Sequence, residues 1–108
     1  MAEKTIMLVC AAGMSTSMLV QKMQKEAESQ NLDRDIFAVS TSEADQKIDD
    51  GIVDVLLLGP QVRFKKEEYN KKCRDKNIPV DVIEMRDYGT MNGGNVLKIA
   101  EQLMVNER

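Results

Sequence analysis

Histidine is absent from all 108 residues, and that absence excludes more chemistry than any other count. A Cys–His dyad, a Ser–His triad and any metal site that needs an imidazole are ruled out within this chain. A histidine required by the chemistry has to arrive on another protein. Cysteine is nearly as scarce: only Cys10 and Cys73 occur, so no structural disulfide is expected, and a reducing compartment is. No apolar run approaches the roughly 20 residues that cross a bilayer, and there is no internal repeat or low-complexity tract. The acidic excess is small, a net charge of −3, which argues against nucleic acid or an anionic membrane surface as the main partner. Lys4 ahead of the apolar residues 6–12 has the outline of a signal peptide. Glu3 and the immediate run into a hydroxyl-rich helix start oppose that reading, and Val9 is too large for a lipoprotein cleavage site before Cys10. The expectation is a cytoplasmic protein without membrane insertion, folding as one domain over residues 1–108 around a single core.

What is present centres on Cys10-Ala11-Ala12-Gly13-Met14-Ser15-Thr16-Ser17, which follows the apolar run Thr5-Ile6-Met7-Leu8-Val9 and leads into an amphipathic segment. That is strand, short loop, helix, with a thiol at the strand end. Gly13 and the two alanines let the main chain wrap closely around a tetrahedral oxyanion. Ser15, Thr16 or Ser17 can cap the helix, and a spare hydroxyl can donate to a bound oxygen. The positive end of the helix dipole then stabilises a sulfur anion or a phosphoryl group. No charged residue lies between Lys4 and Lys22, so the cradle is built from neutral donors. A buried cysteine that merely closes a strand is the plainer alternative. The cradle reading requires a sulfur open at the rim.

Further along, Met14, Met18, Leu19, Met23 and Ala27 give the first helix an apolar stripe. The eight methionines read as core filling rather than as a metal site. Residues 35–40 form a second strand, and Ser42 with Asp45 suggests a capping box for a short helix ended by Gly51. Residues 53–58 form a third strand, broken by Gly59-Pro60-Gln61. A helix over 62–76 follows, with Val62, Tyr69 and Cys73 on one face and the pairs Glu67–Lys71 and Glu68–Lys72 on its flanks. Between Arg63 and Lys76 stand seven basic and three acidic residues. That excess can steer an acidic partner, although a solvated helix face is the default. Cys73 is expected to pack rather than react. Pro79 opens an edge strand over 80–84, residues 87–94 form a loop, and a last helix buries Val96, Ile99, Ala100, Leu103 and Met104.

The β-α-β-α-β-α-β-α order implies an α/β fold: a four-stranded parallel sheet, doubly wound, with helices on both faces. Loops leaving the strand C-terminal ends share one rim, where ligands bind. The Cys10 loop, Gly59 to Gln61 and the loop around Tyr88 therefore meet there.

Three segments resemble the IIB component of a sugar phosphotransferase system of the lactose, cellobiose and diacetylchitobiose type. They are residues 10–17, the junction Leu57-Leu58-Gly59-Pro60-Gln61-Val62, and Tyr88-Gly89 ahead of the last helix. The resemblance implies a transiently phosphorylated cysteine, Cys10, cradled by Ala11, Ala12, Gly13, Met14, Ser15, Thr16 and Ser17. It implies two partners: a IIA component whose phosphohistidine donates, and a IIC membrane permease holding the sugar that accepts. No cofactor or metal is implied. The missing histidine is then explained, because the donor imidazole comes with IIA. Gln61 and Tyr88 are assigned to the rim as contacts for the phosphoryl group or a partner.

The competing enzyme is a cysteine phosphatase similar to the low-molecular-weight tyrosine phosphatases, or an arsenate reductase. Such phosphatases carry Cys, five residues, then Arg; here that position is Thr16, which offers one hydroxyl and no charge. Asp87 can imitate their general acid but reads more naturally as a local backbone acceptor. A receiver-like regulatory domain needs clustered acids at strand ends, and strands ending in Cys10 and in Leu58-Gly59 lack them.

Overall fold

The computed structural model describes residues 4–11 and 14–106, with the side chains of Met14, Ser15 and Asn106 left aside. Four strands, β1 (Lys4–Cys10), β2 (Arg34–Ser40), β3 (Val55–Leu58) and β4 (Val80–Val82), pair in parallel in the order β2-β1-β3-β4. Among the described residues five helices accompany them: α1 (Met14–Ser29), α2 (Thr41–Asp49), α3 (Lys66–Arg74), α4 (Met85–Gly89) and α5 (Gly93–Asn106). A 3-10 segment, Pro60–Lys65, leads into α3. This is the doubly wound α/β sheet expected from the sequence.

The pleat of β1 sorts its side chains between two cores. Ile6 and Leu8 face a layer made by α1 and α5, with Leu19, Met23, Val96, Leu97 and Ala100. Met7 and Val9 face the other layer, with Ala44, Ile48, Tyr69 and Cys73 from α2 and α3. A strand covered on both faces must be apolar throughout, and residues 6–10 are accordingly buried without exception. At Gly93 the α1–α5 crossing is closest, since a Cβ there would stand 2.7 Å from the backbone of Lys22 and Met23.

Several local expectations are corrected. Met18 is 53% exposed and leaves the α1 stripe; Val20, on the other side of Leu19, takes its place in the core. On α5 Leu97 is buried, while Ile99 is only half-buried. The capping box belongs to Ser40 and Glu43, whose carboxylate accepts from the Ser40 backbone N–H at 3.4 Å. Asp45 instead accepts from Lys72 Nζ at 2.7 Å. The expected continuous helix from 62 breaks at Val62, where φ −118 and ψ 23 are not helical, so α3 starts only at Lys66. Strands three and four are shorter than expected: β3 begins at Val55, with Asp54 still tied to Thr5 by its N–H to the Thr5 carbonyl at 2.9 Å and by its carboxylate, which accepts from the Thr5 N–H at 2.7 Å, and Glu84 stands at the N-cap position of α4. The helix α4 occupies part of what the sequence suggested was loop.

Candidate functional site

Because β1 is flanked by β2 on one side and β3 on the other, its C-terminal end is the switch point of the sheet, where a crevice opens in such folds. Cys10 is the last residue of β1, and α1 begins four residues later. Laterally the cysteine is enclosed. Its register partner is Ser40, and on the other side the Gly59 N–H donates to the Val9 carbonyl at 2.8 Å. A Cβ on Gly59 would lie 3.7 Å from Cys10 Cβ and 3.1 Å from Gln61 Oε1. Gln61 thus folds back beside the same glycine that abuts Cys10 Cβ, although its side chain as a whole is exposed. The lack of a side chain at position 59 is what lets Gln61 and Cys10 converge.

The sulfur differs from the expectation of an open thiol. Cys10 is 1% exposed, and its Sγ–H points to the Val39 carbonyl at 3.9 Å. The cause is the central position of the strand: neighbours on both edges leave only the direction along the strand axis, and there the chain itself continues. The cover is shallow, because the next residue, Ala11, is already exposed.

The other assigned residues divide into three groups. Thr16 is fully buried, and its Oγ1 lies 3.1 Å from the Tyr88 hydroxyl. This contact joins the first turn of α1 to α4, so the loop after β4 does reach the Cys10 segment. Ser17 is exposed. Since α1 already includes Met14, residues Ser15, Thr16 and Ser17 sit in its first turn rather than at the cap. Ala12 and Gly13, with the side chains of Met14 and Ser15, lie outside the described residues.

Asp87 carries a connection that sequence reasoning missed. It is 5% exposed, and its Oδ2 accepts from Asn95 Nδ2 at 2.7 Å, so its partner is a side chain of α5 rather than nearby backbone. The bond clamps α4 to α5 next to Tyr88. Cys73, as expected, packs: it is fully buried in the α2/α3 core, and that burial pushes its thiol up to about 11. Burial also raises the phenol of Tyr69, and the hydrogen bond to Asp45 raises Lys72.

A doubly wound parallel sheet with a cysteine closing its central strand at the switch point defines a cysteine-loop α/β domain. The family is decided by comparison. Residues 5–99 match the model described as "PTS system, Lactose/Cellobiose specific IIB subunit", and the chain belongs to that family. The galactose-specific EIIB component of Lactococcus lactis subsp. cremoris and the cellobiose-specific EIIB component of Lactococcus lactis subsp. lactis are each 53% identical over 107 residues, which span 96% of this chain and 99% of theirs. The solution structure of the cellobiose-specific phosphotransferase IIB component from Borrelia burgdorferi superposes with a TM-score of 0.78 at 43% identity, covering 96% of this chain and 94% of that one. The protein is therefore a IIB component of a sugar-specific phosphotransferase system. Two relatives of equal similarity bear different sugar names, so overall identity does not encode the sugar.

Proposed function

We propose that this IIB component is a cytoplasmic phosphoryl carrier, acting as one domain over residues 1–108, with Cys10 as the acceptor. The Cys10 thiolate attacks the phosphorus of a phosphohistidine on a IIA component. The S–P bond forms as the N–P bond breaks, and the departing imidazole takes up a proton. In the second step a hydroxyl of a sugar held by a IIC membrane permease attacks the same phosphorus. The S–P bond breaks, the thiolate returns, and the hydroxyl proton leaves to solvent. Each transfer needs a nucleophile and an in-line approach but no base on this chain.

The observation that carries this reading is the meeting of three rim segments around the end of β1: Gly59 and Gln61 against Cys10, and Tyr88 against Thr16. In this proposal residues 11–17, Ala12 and Gly13 included, supply neutral donors to the phosphoryl oxygens, while Gln61 and Tyr88 contact the group or the docked partner. The 1% exposure of Cys10 adds a requirement: the sulfur must turn from the Val39 carbonyl and be uncovered from the Ala11 side before it can be reached. On this point the structure departs from the open sulfur that the cradle reading required, and both transfers depend on that uncovering.

Hydrolysis is disfavoured by Thr16. A neutral hydroxyl already bonded to Tyr88 cannot replace the bidentate guanidinium of a phosphatase. The test is a phosphoenolpyruvate-driven relay containing a cognate IIA, run beside a generic aryl phosphate assay. The expected result is relay-dependent labelling of the chain, abolished by Cys10→Ala, with negligible aryl phosphate turnover. Robust turnover that depends on Cys10 would instead establish the phosphatase.

A further inference from the structure

Among the described residues only two polar or charged side chains are buried, Thr16 and Asp87, and both belong to one connection. Thr16 Oγ1 lies 3.1 Å from the Tyr88 hydroxyl. Tyr88 follows Asp87 on α4, and Asp87 Oδ2 accepts from Asn95 Nδ2 at 2.7 Å. Two side-chain bonds thus tie α1, α4 and α5 in series. Burying a polar group carries a cost that its hydrogen bond does little more than offset, and apolar groups of the same shape often serve stability as well. Two buried polar groups on a single connection therefore point to a position being held.

What is held is the first turn of α1. Thr16 begins the stripe that continues through Leu19, Met23 and Ala27 at steps of three and four, all of them buried. Its hydroxyl accordingly meets Tyr88 rather than solvent. The helix starts at Met14, four residues after Cys10, which keeps that turn within about 14 Å of the cysteine. Backbone N–H groups at the start of an α-helix have no intrahelical acceptor, and the proposed function draws its neutral donors from this stretch. A tilt of the turn would aim them away from the phosphorus.

The support behind Tyr88 is fastened from the opposite side. With five residues, α4 is too short to be stable as an isolated helix. The Asn92 N–H donates to the Asp87 carbonyl at 2.9 Å, Asn92 Oδ1 accepts from the Asn95 N–H at 3.0 Å, and the Asn95 amide returns to the Asp87 carboxylate. This closed circuit fixes α4 to the start of α5, which is itself pressed against α1 at Gly93. The Tyr88 ring packs on the same α1/α5 core, so its hydroxyl reaches Thr16 with little rotational freedom left to lose.

We propose that Asp87, Asn95 and Tyr88 are positioning residues for phosphoryl transfer, acting through Thr16 to fix the first turn of α1 against the phosphoryl group. The inference rests on the reading of Cys10 as phosphoryl acceptor. It narrows the part of Tyr88 within that reading, because the hydroxyl serves Thr16 rather than the group or a docked partner. Transfer between an imidazole and a sulfur depends on donors aimed at the oxygens of the moving group, and a misplacement of about 1 Å costs up to ~10²-fold in rate. Breaking the strut therefore slows the step inside the docked complex and leaves docking itself unchanged.

The experiment measures single-turnover transfer from phosphorylated IIA as a function of donor concentration, for Tyr88→Phe, Thr16→Val, their double variant, Thr16→Ser and Asn95→Ala. Ile48→Val, a truncation in the core on the other face of the sheet, controls for lost stability, and melts are recorded for all. Tyr88→Phe and Thr16→Val are each expected to lower the maximal rate by about tenfold, with the donor concentration at half-saturation within about twofold of the unmodified chain. The double variant should be no slower than the slower single one, as for two residues acting as a unit. Thr16→Ser should restore the rate, Asn95→Ala should lower it, and Ile48→Val should leave it unchanged. A maximal rate unaffected by Tyr88→Phe, a rise in half-saturation alone, multiplicative losses in the double variant, or equal slowing in Ile48→Val overturns the positioning role. If the unmodified chain takes no phosphoryl group on Cys10, the function proposed above fails and this inference with it; a charged chain whose variants transfer normally sinks the inference alone.

Discussion

Replacing Gly93 with alanine adds one methyl group at the α1–α5 crossing, and its cost follows from the geometry. The new Cβ would lie 2.7 Å from the Lys22 carbonyl carbon, 2.7 Å from Lys22 Cβ and 2.7 Å from the Met23 nitrogen, distances that real Cβ atoms do not tolerate. Two of those atoms are backbone, so no rotamer change relieves the contact. Nor can α1 retreat easily, because the adjacent Met23 and Leu19 are fully buried against β1. Overpacking of this kind costs about 1–3 kcal/mol. At the first residue of α5 the helix-propensity gain of Ala over Gly returns less than about 1 kcal/mol. The net expectation is a loss of about 2 kcal/mol, which lowers Tm by roughly 10 °C for a domain of this size. Circular dichroism melts and urea titrations measure it, with the urea slope unchanged. Gly89→Ala is the internal control, since nothing lies within 4 Å of its added Cβ, and it should be neutral or slightly stabilising. An unchanged or higher Tm for Gly93→Ala would refute the close crossing that positions α1 beneath the cysteine segment.

Asp87→Ala should destabilise by about 1 kcal/mol, because the half-buried Asn95 amide loses its carboxylate acceptor; Asp87→Asn, which keeps an acceptor oxygen, should lose less in the same melts. Stability should fall between about pH 9 and 11, because Cys73 holds its proton in the fold up to about 11 against 9.0 for an ordinary thiol. The unfolded chain releases that proton first, so the contribution is complete below pH 9 and lost as pH rises through the folded value. Cys73→Ala should lower stability at neutral pH yet reduce the alkaline slope of a pH-resolved urea series. With both cysteines at 1% exposure or less, neither should be alkylated as fast as a free thiol at neutral pH. Cys10, one residue beneath the surface, should react before Cys73, as peptide mapping over time would record.

The run from Ile6 to Cys10 announces a central strand because only burial on both faces makes such a sequence sensible, and from it the sheet, the switch point and the position of the thiol all follow. Local patterns proved less decisive where two solutions satisfied the same chemistry. Ser40–Glu43 and Ser42–Asp45 both have capping-box spacing, and the choice was made from a distance by Lys72, which engages Asp45. Met18 and Val20 both border Leu19, and only the packed helix shows that Val20 is the one buried. The helix α4 was hidden by Asp87, Gly89 and Asn92, all turn formers; it exists because the Asp87–Asn95 and Tyr88–Thr16 bonds bind it to α5 and α1. The burial of the sulfur was likewise illegible, since it depends on Ser40 and Gly59 closing on β1 from either edge.

The central claim is that a sulfur, and one sulfur only, bears the phosphoryl group. The direct measurement is mass-spectrometric mapping of the chain after charging by the IIA relay, under conditions that preserve thiophosphate esters, with phosphorus NMR to identify the bond. A single phosphoryl group on the peptide containing Cys10, as an S–P ester discharged when sugar and permease are added, is the predicted result. Label on a hydroxyl of Ser15, Thr16 or Ser17, or on Cys73, would contradict it.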